Sequence, residues 1–331
     1  MNNDILVQKF AHILEQNFEL KLTKFIVALS GGVDSMVLAI LANNWAKEQN
    51  AELLTVTIDH GLREEAKQEA LSVQHIMQSL NIKHKIIKWE HQENITSNLE
   101  AKAREARYEL LSNYALENQV KVIFTAHHLD DQIENFFIRL SRGSGIDGLA
   151  AMAHLTQITK ELLIFRPFLT VKKAELNTYA KAQKLEWFED QTNQDRKYLR
   201  NDLRHILAQI EDKEVIERRI IKSGQHFARA RDFLQITTAK EYGNIVENIA
   251  GDLKLNLVKF KNLHAEIALR ILVKILMEIG QTKYKPRFAK LEMLYEKIKQ
   301  DKIVKSTSFN HCLIKIKADH LIFTKELHTR S

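Results

Sequence analysis

The segment FIVALSGGVDS, residues 25–35, carries the strongest signal for the fold of this chain. Its apolar half predicts a short buried strand, and the glycine pair after it predicts a tight turn. Apolar residues then recur at helical spacing over residues 33–48. A strand, a glycine turn and a helix start together expose backbone N–H groups at the positive end of a helix dipole. The stretch therefore predicts an anion site, with a capped tight turn as the structural alternative.

The loop SGGVDS, residues 30–35, is not a Walker A motif, because G-x-x-x-x-G-K-[ST] is missing. Ser30 and Ser35 add hydroxyl donors to the backbone N–H groups. Asp34 would repel a phosphate that was bound alone. The aspartate is explained if a magnesium ion or an amine binds beside the phosphate.

Strands and helices alternate through the first half of the chain. The predicted strands cover residues 25–29, 53–58, 84–89 and 120–126, and the helices between them cover residues 33–48, 64–80 and 99–117. Such alternation predicts an α/β fold with a doubly wound parallel sheet and right-handed crossovers. Ligands of these sheets bind outside the carboxyl ends of the strands.

Glycine and proline are scarce, with 10 and 2 residues among 331. This excludes collagen-like, proline-rich and turn-dense all-β classes, and it predicts a mostly helical protein. Six of the ten glycines lie in three short loops, SGGVDS, DHGLR (residues 59–63) and RGSGIDGL (residues 142–149). We expect ligand contacts at these loops, because glycine is used where a side chain would be in the way.

The net charge of +7 is unevenly distributed. Residues 216–331 hold 23 Lys and Arg against 12 Asp and Glu, a net +11, whereas residues 1–215 carry a net −4. This shift predicts a catalytic domain at 1–215 and a basic, mostly helical nucleic-acid-binding domain at 216–331. A basic domain that is merely soluble is the alternative. The rear half ends in a predicted hairpin at residues 309–325.

The cysteine content and the first residues of the chain indicate where in the cell the protein is located. Cys312 is the single cysteine, which excludes an intramolecular disulfide or a cysteine zinc cluster. No apolar run approaches the roughly 18 residues of a membrane span. With the charged start MNNDILVQKF, these features predict a cytoplasmic protein with no membrane partner.

The segment HHLDDQIEN, residues 127–135, directly follows the fourth predicted strand. Asp130, Asp131 and Glu134 share one helix face at i,i+3 and i,i+4 spacing. Clustered carboxylates beside a phosphate site suit magnesium or an ammonium group. Zinc on the two histidines is a weaker alternative, because the spacing is not H-E-x-x-H, and Asp130 as a helix cap is a structural one.

Arginines cluster in two further segments. Arg104 and Arg107 recur at helical spacing, where a solvated face is the alternative interpretation. Arg139 and Arg142 lead into RGSGIDGL, whose formal G-x-G-x-x-G follows a helix and so lacks the Rossmann context. We interpret this loop as one that grips phosphate or RNA.

SGGVDS after a strand resembles the PP-loop of the N-type ATP pyrophosphatases, and the segments together resemble the tRNA(Ile)-lysidine synthase family. The matching segments, in family order, are SGGVDS (30–35), DHGLR (59–63), EAKAREARY (100–108), HHLDDQIEN (127–135), RLSRGSGIDGL (139–149), RPF with K-x-E (166–175) and WFEDQTNQDRKYLRNDLR (187–204). They cover about residues 20–210. The resemblance implies a PP-loop ATPase fold of the adenine nucleotide alpha hydrolase-like type.

The resemblance also implies the reaction. ATP adenylates the carbonyl oxygen of the wobble cytidine of a tRNA(Ile) with a CAU anticodon, and pyrophosphate leaves. The ε-amine of free L-lysine then attacks C2 of the ring and AMP leaves. The product, lysidine, changes tRNA specificity from methionine to isoleucine. A homodimer is a further expectation from the family.

Site roles follow from the same resemblance. The expected ATP-binding residues are Ser30, Gly31, Gly32, Val33, Asp34, Ser35 and His127. Asp34 and Asp131 are the expected Mg²⁺ ligands, and Asp131 and Glu134 are expected to hold lysine. The expected catalytic residues are Asp34, Asp131, Glu134 and Arg200, with Arg200 stabilising the adenylate. The expected tRNA contacts are Arg104, Arg107, Arg139, Arg142 and Arg204.

Other functions compete with this interpretation. Thiolation of tRNA usually needs a cysteine pair or a cysteine-held cluster, and glutamine-dependent ammonia release needs a cysteine nucleophile, whereas the single cysteine, Cys312, lies far from the motifs. Another PP-loop carbon–nitrogen ligase, acting on tRNA or a small molecule, is the main enzymatic alternative. A non-catalytic RNA-binding protein would not need a complete SGGVDS with intact Asp130, Asp131 and Glu134.

Overall fold

The computed structural model describes residues 2–18, 21–61, 64–90, 99–188, 199–209, 212–282, 284–303 and 306–326. The chain divides into two compact units, Met1–Gln225 and His226–Ser331. The predicted boundary near residue 215 lies shortly before this division, and one helix, Lys213–Ile245, runs through both positions. Residues 226–331 hold 20 Lys and Arg against 11 Asp and Glu, so most of the positive charge lies in the second unit.

The first unit contains a six-stranded sheet. Its strands are β1 (Lys24–Leu29), β2 (Glu52–Asp59), β3 (His84–Lys88), β4 (Val122–Phe124), β5 (Leu155–Gln157) and β6 (Leu163–Phe165), in the order β3-β2-β1-β4-β6-β5. All pairs are parallel except β5–β6. The predicted parallel sheet is confirmed. The sequence pattern does not predict β5 or β6. Each strand has only three residues, which are too few to show the alternation of apolar and polar residues that is typical of a strand.

Helices flank this sheet. The helices that begin in the first unit are α1 (Asn2–Asn17), α2 (Val33–Gln49), α3 (Glu64–Ser79), α4 (Leu99–Glu117), α5 (Leu129–Ser141), α6 (Ile146–Leu149), α7 (Lys173–Ala182), α8 (Leu199–Ala208) and α9 (Lys213–Ile245), the last of which continues into the second unit. Phe25 and Val27 pack in one core cluster, whereas Ile26 between them packs in another with Leu111 of α4. Successive residues of β1 therefore face opposite layers, as a doubly wound sheet requires.

The second unit combines helices with an antiparallel sheet. Its strands are β7 (Val246–Ile249), β8 (Asp252–Asn256), β9 (Ser306–Phe309), β10 (Cys312–Lys317) and β11 (His320–Lys325), in the order β7-β8-β11-β10-β9. Its further helices are α10 (Leu257–Lys261), α11 (Ala265–Gly280) and α12 (Phe288–Lys299). The predicted hairpin is confirmed as β10–β11. The other strands were not expected, although Gly251 at positive φ is a signal for the β7–β8 turn.

Among the described helices, none is both long and apolar enough to cross a membrane.

Candidate active site

The SGGVDS loop joins the carboxyl end of β1 to the start of α2. Ser35 Oγ accepts hydrogen bonds from Ser30 N and Ser30 Oγ, both at 3.2 Å, and donates to Gly32 O at 2.9 Å. Gly32 is the extended residue that precedes the first helical residue, Val33. These bonds hold the loop in a closed turn, so its backbone N–H groups are arranged before any ligand arrives.

Gly31 is the residue of this turn that must be glycine. Its φ is +83°, and a Cβ there would lie 3.0 Å from Val73 Cγ2. Its carbonyl accepts a hydrogen bond from Phe188 N at 3.0 Å. At Gly32 a Cβ would meet nothing closer than Ser30 Oγ, at 3.6 Å. The turn itself therefore requires glycine at position 31, whereas the structure has room for a side chain at position 32.

Alanine at these two positions is expected to have distinct effects. Gly31→Ala should lower the free energy of unfolding by about 1–3 kcal/mol, because a side chain at this φ is strained. Gly32→Ala should lower the free energy of unfolding less than Gly31→Ala, and it should raise the KM for ATP, because we expect its methyl group to lie at the predicted phosphate site. Urea denaturation of both variants without nucleotide measures the difference. Equal stabilities of the two variants would contradict this division of roles.

His128 lies at the centre of a group of carboxylates, just before α5. Its Nε2 is 3.6 Å from Asp34 Oδ2 and 3.5 Å from Asp131 Oδ2, and its Nδ1 is 3.5 Å from Asp130 Oδ2. Its backbone N donates to Asp131 Oδ2 at 3.0 Å. The side chain is only 3% exposed. Within the described residues, His128 thus connects the SGGVDS loop with the start of α5.

The charges of this group determine the protonation of His128. Burial by itself lowers the pKa of His128, but the carboxylates of Asp130, Asp34 and Asp131, which lie 3.5–3.6 Å from its ring nitrogens, outweigh it and raise the pKa to about 9. Burial opposes ionisation of Asp130 too, but His128 and the backbone N of Lys173 lower its pKa to about 2. His128 is therefore an imidazolium at neutral pH and offsets part of the negative charge of Asp34, Asp130 and Asp131 beside the SGGVDS loop.

Stability of the ligand-free protein is expected to fall in mild alkali. A pKa of His128 raised from 6.5 to about 9 stabilises the fold fully below about pH 6.5, and the stabilisation is lost as the pH rises through about 9. The loss amounts to about 3 kcal/mol. Urea denaturation between these pH values measures it, with His128→Gln as the control that should remove the slope. A wild-type protein equally stable at both pH values would contradict the proton assignment.

The carboxylates suit a magnesium ion that nucleotide phosphates help to bind. Asp34 Oδ1 is buried without a hydrogen-bond partner, and Oδ2 of Asp34 and of Asp131 both approach His128 Nε2. Among the described residues, no three His, Cys, Asp or Glu side chains form a group that could hold a metal ion. Mg²⁺ typically uses one or two carboxylates, with waters and phosphates as its other ligands. The zinc alternative finds no support in this geometry.

Glu134 is paired with a distant arginine. Arg204 Nε donates to Glu134 Oε1 at 2.5 Å, and Arg204 Nη2 donates to Oε2 at 3.2 Å. The Glu134 side chain is 5% exposed. Arg204, predicted as a tRNA contact, therefore also joins α8 to α5. Arg200 lies in α8, but its side chain is outside the described residues, as are Asp190 and Asn193.

The other histidine of the segment, His127, is neutral. His127 Nδ1 is 3.0 Å from Thr125 Oγ1, and its pKa is lowered to about 4, chiefly by burial. Asp131 opposes this shift, whereas the positive charges of Arg166, Arg107 and Arg104 contribute to it. Arg104 is exposed and Arg107 half-buried, and their guanidinium carbons lie 5.2 and 5.5 Å from the centroid of the Tyr108 ring, so their tRNA contacts stay predictions.

Arg166 is buried beside this cluster, and its Nη1 donates to Ala153 O at 3.1 Å and Thr156 Oγ1 at 2.8 Å. The RPF segment was its only signal in the sequence. Arg139 and Arg142 are exposed at the end of α5. Nothing in the described residues tests their predicted tRNA contacts.

Comparisons with known proteins identify the family. A family model described as a PP-loop domain matches residues 2–211. A protein of Wolbachia pipientis wMel named tRNA(Ile)-lysidine synthase is 37% identical over 303 residues, which cover 91% of this chain and 70% of that protein. This chain belongs to the tRNA(Ile)-lysidine synthase family. A lysidine synthase of Rickettsia felis is also 37% identical, over 96% of this chain and 74% of its own length.

As a member of the lysidine synthase family, this chain is an ATP-dependent ligase with a PP-loop domain. A solved structure, the U34-tRNA thiolase NcsA from Methanococcus maripaludis with its [4Fe-4S] cluster, aligns with a TM-score of 0.59 at 18% identity. The alignment covers 67% of this chain and 78% of the thiolase. This likeness supports the PP-loop fold alone.

Proposed function

We propose that this chain ligates free L-lysine to C2 of the wobble cytidine in tRNA(Ile) with a CAU anticodon. The observation that carries the proposal is the approach of Asp34 and Asp131 to one nitrogen of His128, at 3.6 and 3.5 Å. A loop built to hold phosphates and a helix that presents carboxylates therefore share one edge of the sheet. A reaction that joins a nucleotide and an amine needs this combination.

In the first step, the cytidine carbonyl oxygen attacks the α-phosphate of ATP, and pyrophosphate leaves. Backbone N–H groups of Gly31, Gly32 and Val33 hold the phosphates, while Ser30 and Ser35 keep the loop closed. Asp34 and Asp131 would hold Mg²⁺, which supplies positive charge to the phosphates when it is bound. His127, neutral because of its lowered pKa, lines the nucleotide pocket.

In the second step, the ε-amine of lysine attacks C2, and AMP leaves. The amine must first lose a proton, for which Asp131 or Glu134 is the acceptor. Arg200 stabilises the adenylate. Because Arg204 occupies both carboxylate oxygens of Glu134, lysine binding at Glu134 requires this ion pair to open or to share its oxygens. Asp131 and Glu134 together supply the negative charge that attracts the lysine ammonium.

Transfer RNA is held by positive charge in both units. Arg104, Arg107, Arg139, Arg142 and Arg204 contact it in the first unit. The second unit, with a net +9 over residues 226–331, grips the phosphate backbone.

We place the protein in the cytoplasm, which agrees with its single cysteine, Cys312, buried and unpaired. We propose a homodimer as well, and light scattering after size-exclusion chromatography measures it.

An omission assay tests the function. ATP, labelled lysine and tRNA are supplied together, and pyrophosphate release and label in tRNA are measured while each is left out. The proposal expects label in tRNA(Ile) only when all three are present. Another carbon–nitrogen ligase would release pyrophosphate without lysine once its own amine, such as ammonia, was supplied. A non-catalytic RNA-binding protein would release none.

A further inference from the structure

Two adjacent lysines at the start of α7 meet different partners. Lys172 Nζ is 2.8 Å from Glu214 Oε1, at the start of α9. Lys173 Nζ is 3.8 Å from Asp34 Oδ2, beside the SGGVDS loop. Lys173 thus brings a positive charge to the anion site from a segment far from it in sequence. Lys172, which has the same side chain, turns elsewhere.

The main chain holds Lys173 in place. Its backbone N donates to Asp130 Oδ2 at 2.8 Å, so the first residue of α7 is tied to the start of α5. This contact does not involve the ammonium group. The side chain is 39% exposed, so it can reach a ligand in the open part of the site.

The contact between Lys173 and Asp34 contributes little to folding. At 3.8 Å it is longer than a hydrogen bond, and ion pairs between partly exposed side chains stabilise a fold little. His128 already lies against the same Asp34 oxygen, at 3.6 Å. A second positive charge at this oxygen is therefore better explained by a role of Lys173 in ligand binding than by a role in folding stability. Lysine is a flexible point charge with three donors, which suits phosphate oxygens.

We propose that the Lys173 ammonium binds the phosphates of ATP and stabilises the negative charge that develops on the departing pyrophosphate. The inference deepens the proposed function at the same site and rests on it for the reaction step. Nucleotide binding itself does not depend on which amine or acceptor follows. Since Lys173 is anchored through its backbone, its side chain turns from Asp34 to the phosphates while α7 stays in place.

Lys173→Met is the decisive variant, with Lys173→Arg to restore the charge and Lys172→Met as the matched control. We expect Lys173→Met to lower kcat/KM for ATP by about 10²-fold, the size found when one charge-stabilising donor is removed. Its KM for lysine and its melting temperature without nucleotide should stay near wild type. Lys173→Arg should recover part of the loss, and Lys172→Met should change kcat/KM by less than about twofold.

A calorimetric titration with α,β-methylene-ATP separates this inference from the proposed function, because it needs neither lysine nor tRNA. Weaker binding by Lys173→Met, but not by Lys172→Met, supports the phosphate contact even if no lysidine forms. Unchanged or tighter analogue binding by Lys173→Met overturns it and leaves Lys173 as a counter-charge for Asp34. A wild-type protein that does not bind the analogue would also overturn the proposed phosphate contact.

Discussion

Asp131→Asn is expected to reduce lysidine formation by about 10²- to 10³-fold, the size found when one electrostatic contact to the reacting groups is lost. The asparagine oxygen can still accept the hydrogen bond from His128 N, now 3.0 Å long, so the start of α5 should be retained. What the substitution removes is the negative charge that lies 3.5 Å from His128 Nε2. Label from lysine transferred to tRNA, measured at saturating ATP, reports the loss.

Asp130→Asn is the matched control for this prediction. Asp130 Oδ2 accepts from Lys173 N at 2.8 Å, which an amide oxygen can also do. We expect less than about a tenfold loss of activity, because the substitution weakens the bond from Lys173 N and one of the three carboxylate contacts of His128, and leaves Asp34 and Asp131 charged. An Asp131→Asn enzyme with wild-type activity would show that the carboxylate takes no part in the reaction. Equal losses in both variants would indicate a general effect on the start of α5.

The affinity for tRNA is expected to fall by about 10³-fold between roughly 50 and 200 mM salt, because Lys and Arg release counterions from each phosphate they contact. The second unit supplies this charge, with 20 Lys and Arg against 11 Asp and Glu over residues 226–331. Fluorescence anisotropy of labelled tRNA at several salt concentrations gives the slope of log affinity against log salt.

A variant with fewer positive charges tests whether the second unit causes the salt dependence of tRNA binding. Lys285, Arg287 and Lys290 are exposed around the start of α12. Changing all three to glutamine should reduce the slope by about one for each phosphate contact that is lost. The KM for ATP should stay at its wild-type value, since these residues lie in the second unit. An affinity for tRNA that is indifferent to salt would remove this interpretation of the positive charge.

Local patterns in the sequence were enough for the catalytic scaffold. The apolar run before SGGVDS and the alternation after it predict the parallel sheet, and the helix expected at residues 99–117 is observed with the same bounds. Short strands were missed, because β5 and β6 are stabilised by pairing with each other and with β4 rather than by their own residue pattern. The strands β7, β8 and β9 were missed for a similar reason.

The family and the candidate residues of the site are determined by the sequence alone, because a glycine turn after a strand and a carboxylate-rich helix start have local signatures. Only the tertiary structure decides which of these residues meet. His128 lies among Asp34, Asp130 and Asp131, Lys173 reaches Asp34 from α7, and Arg204 pairs with Glu134 across 70 positions. Parallel strands bring their carboxyl ends to one edge of the sheet, and charged residues from distant segments come within ion-pair distance there. Sequence patterns depend on residues that are close along the chain, so they do not predict these distances.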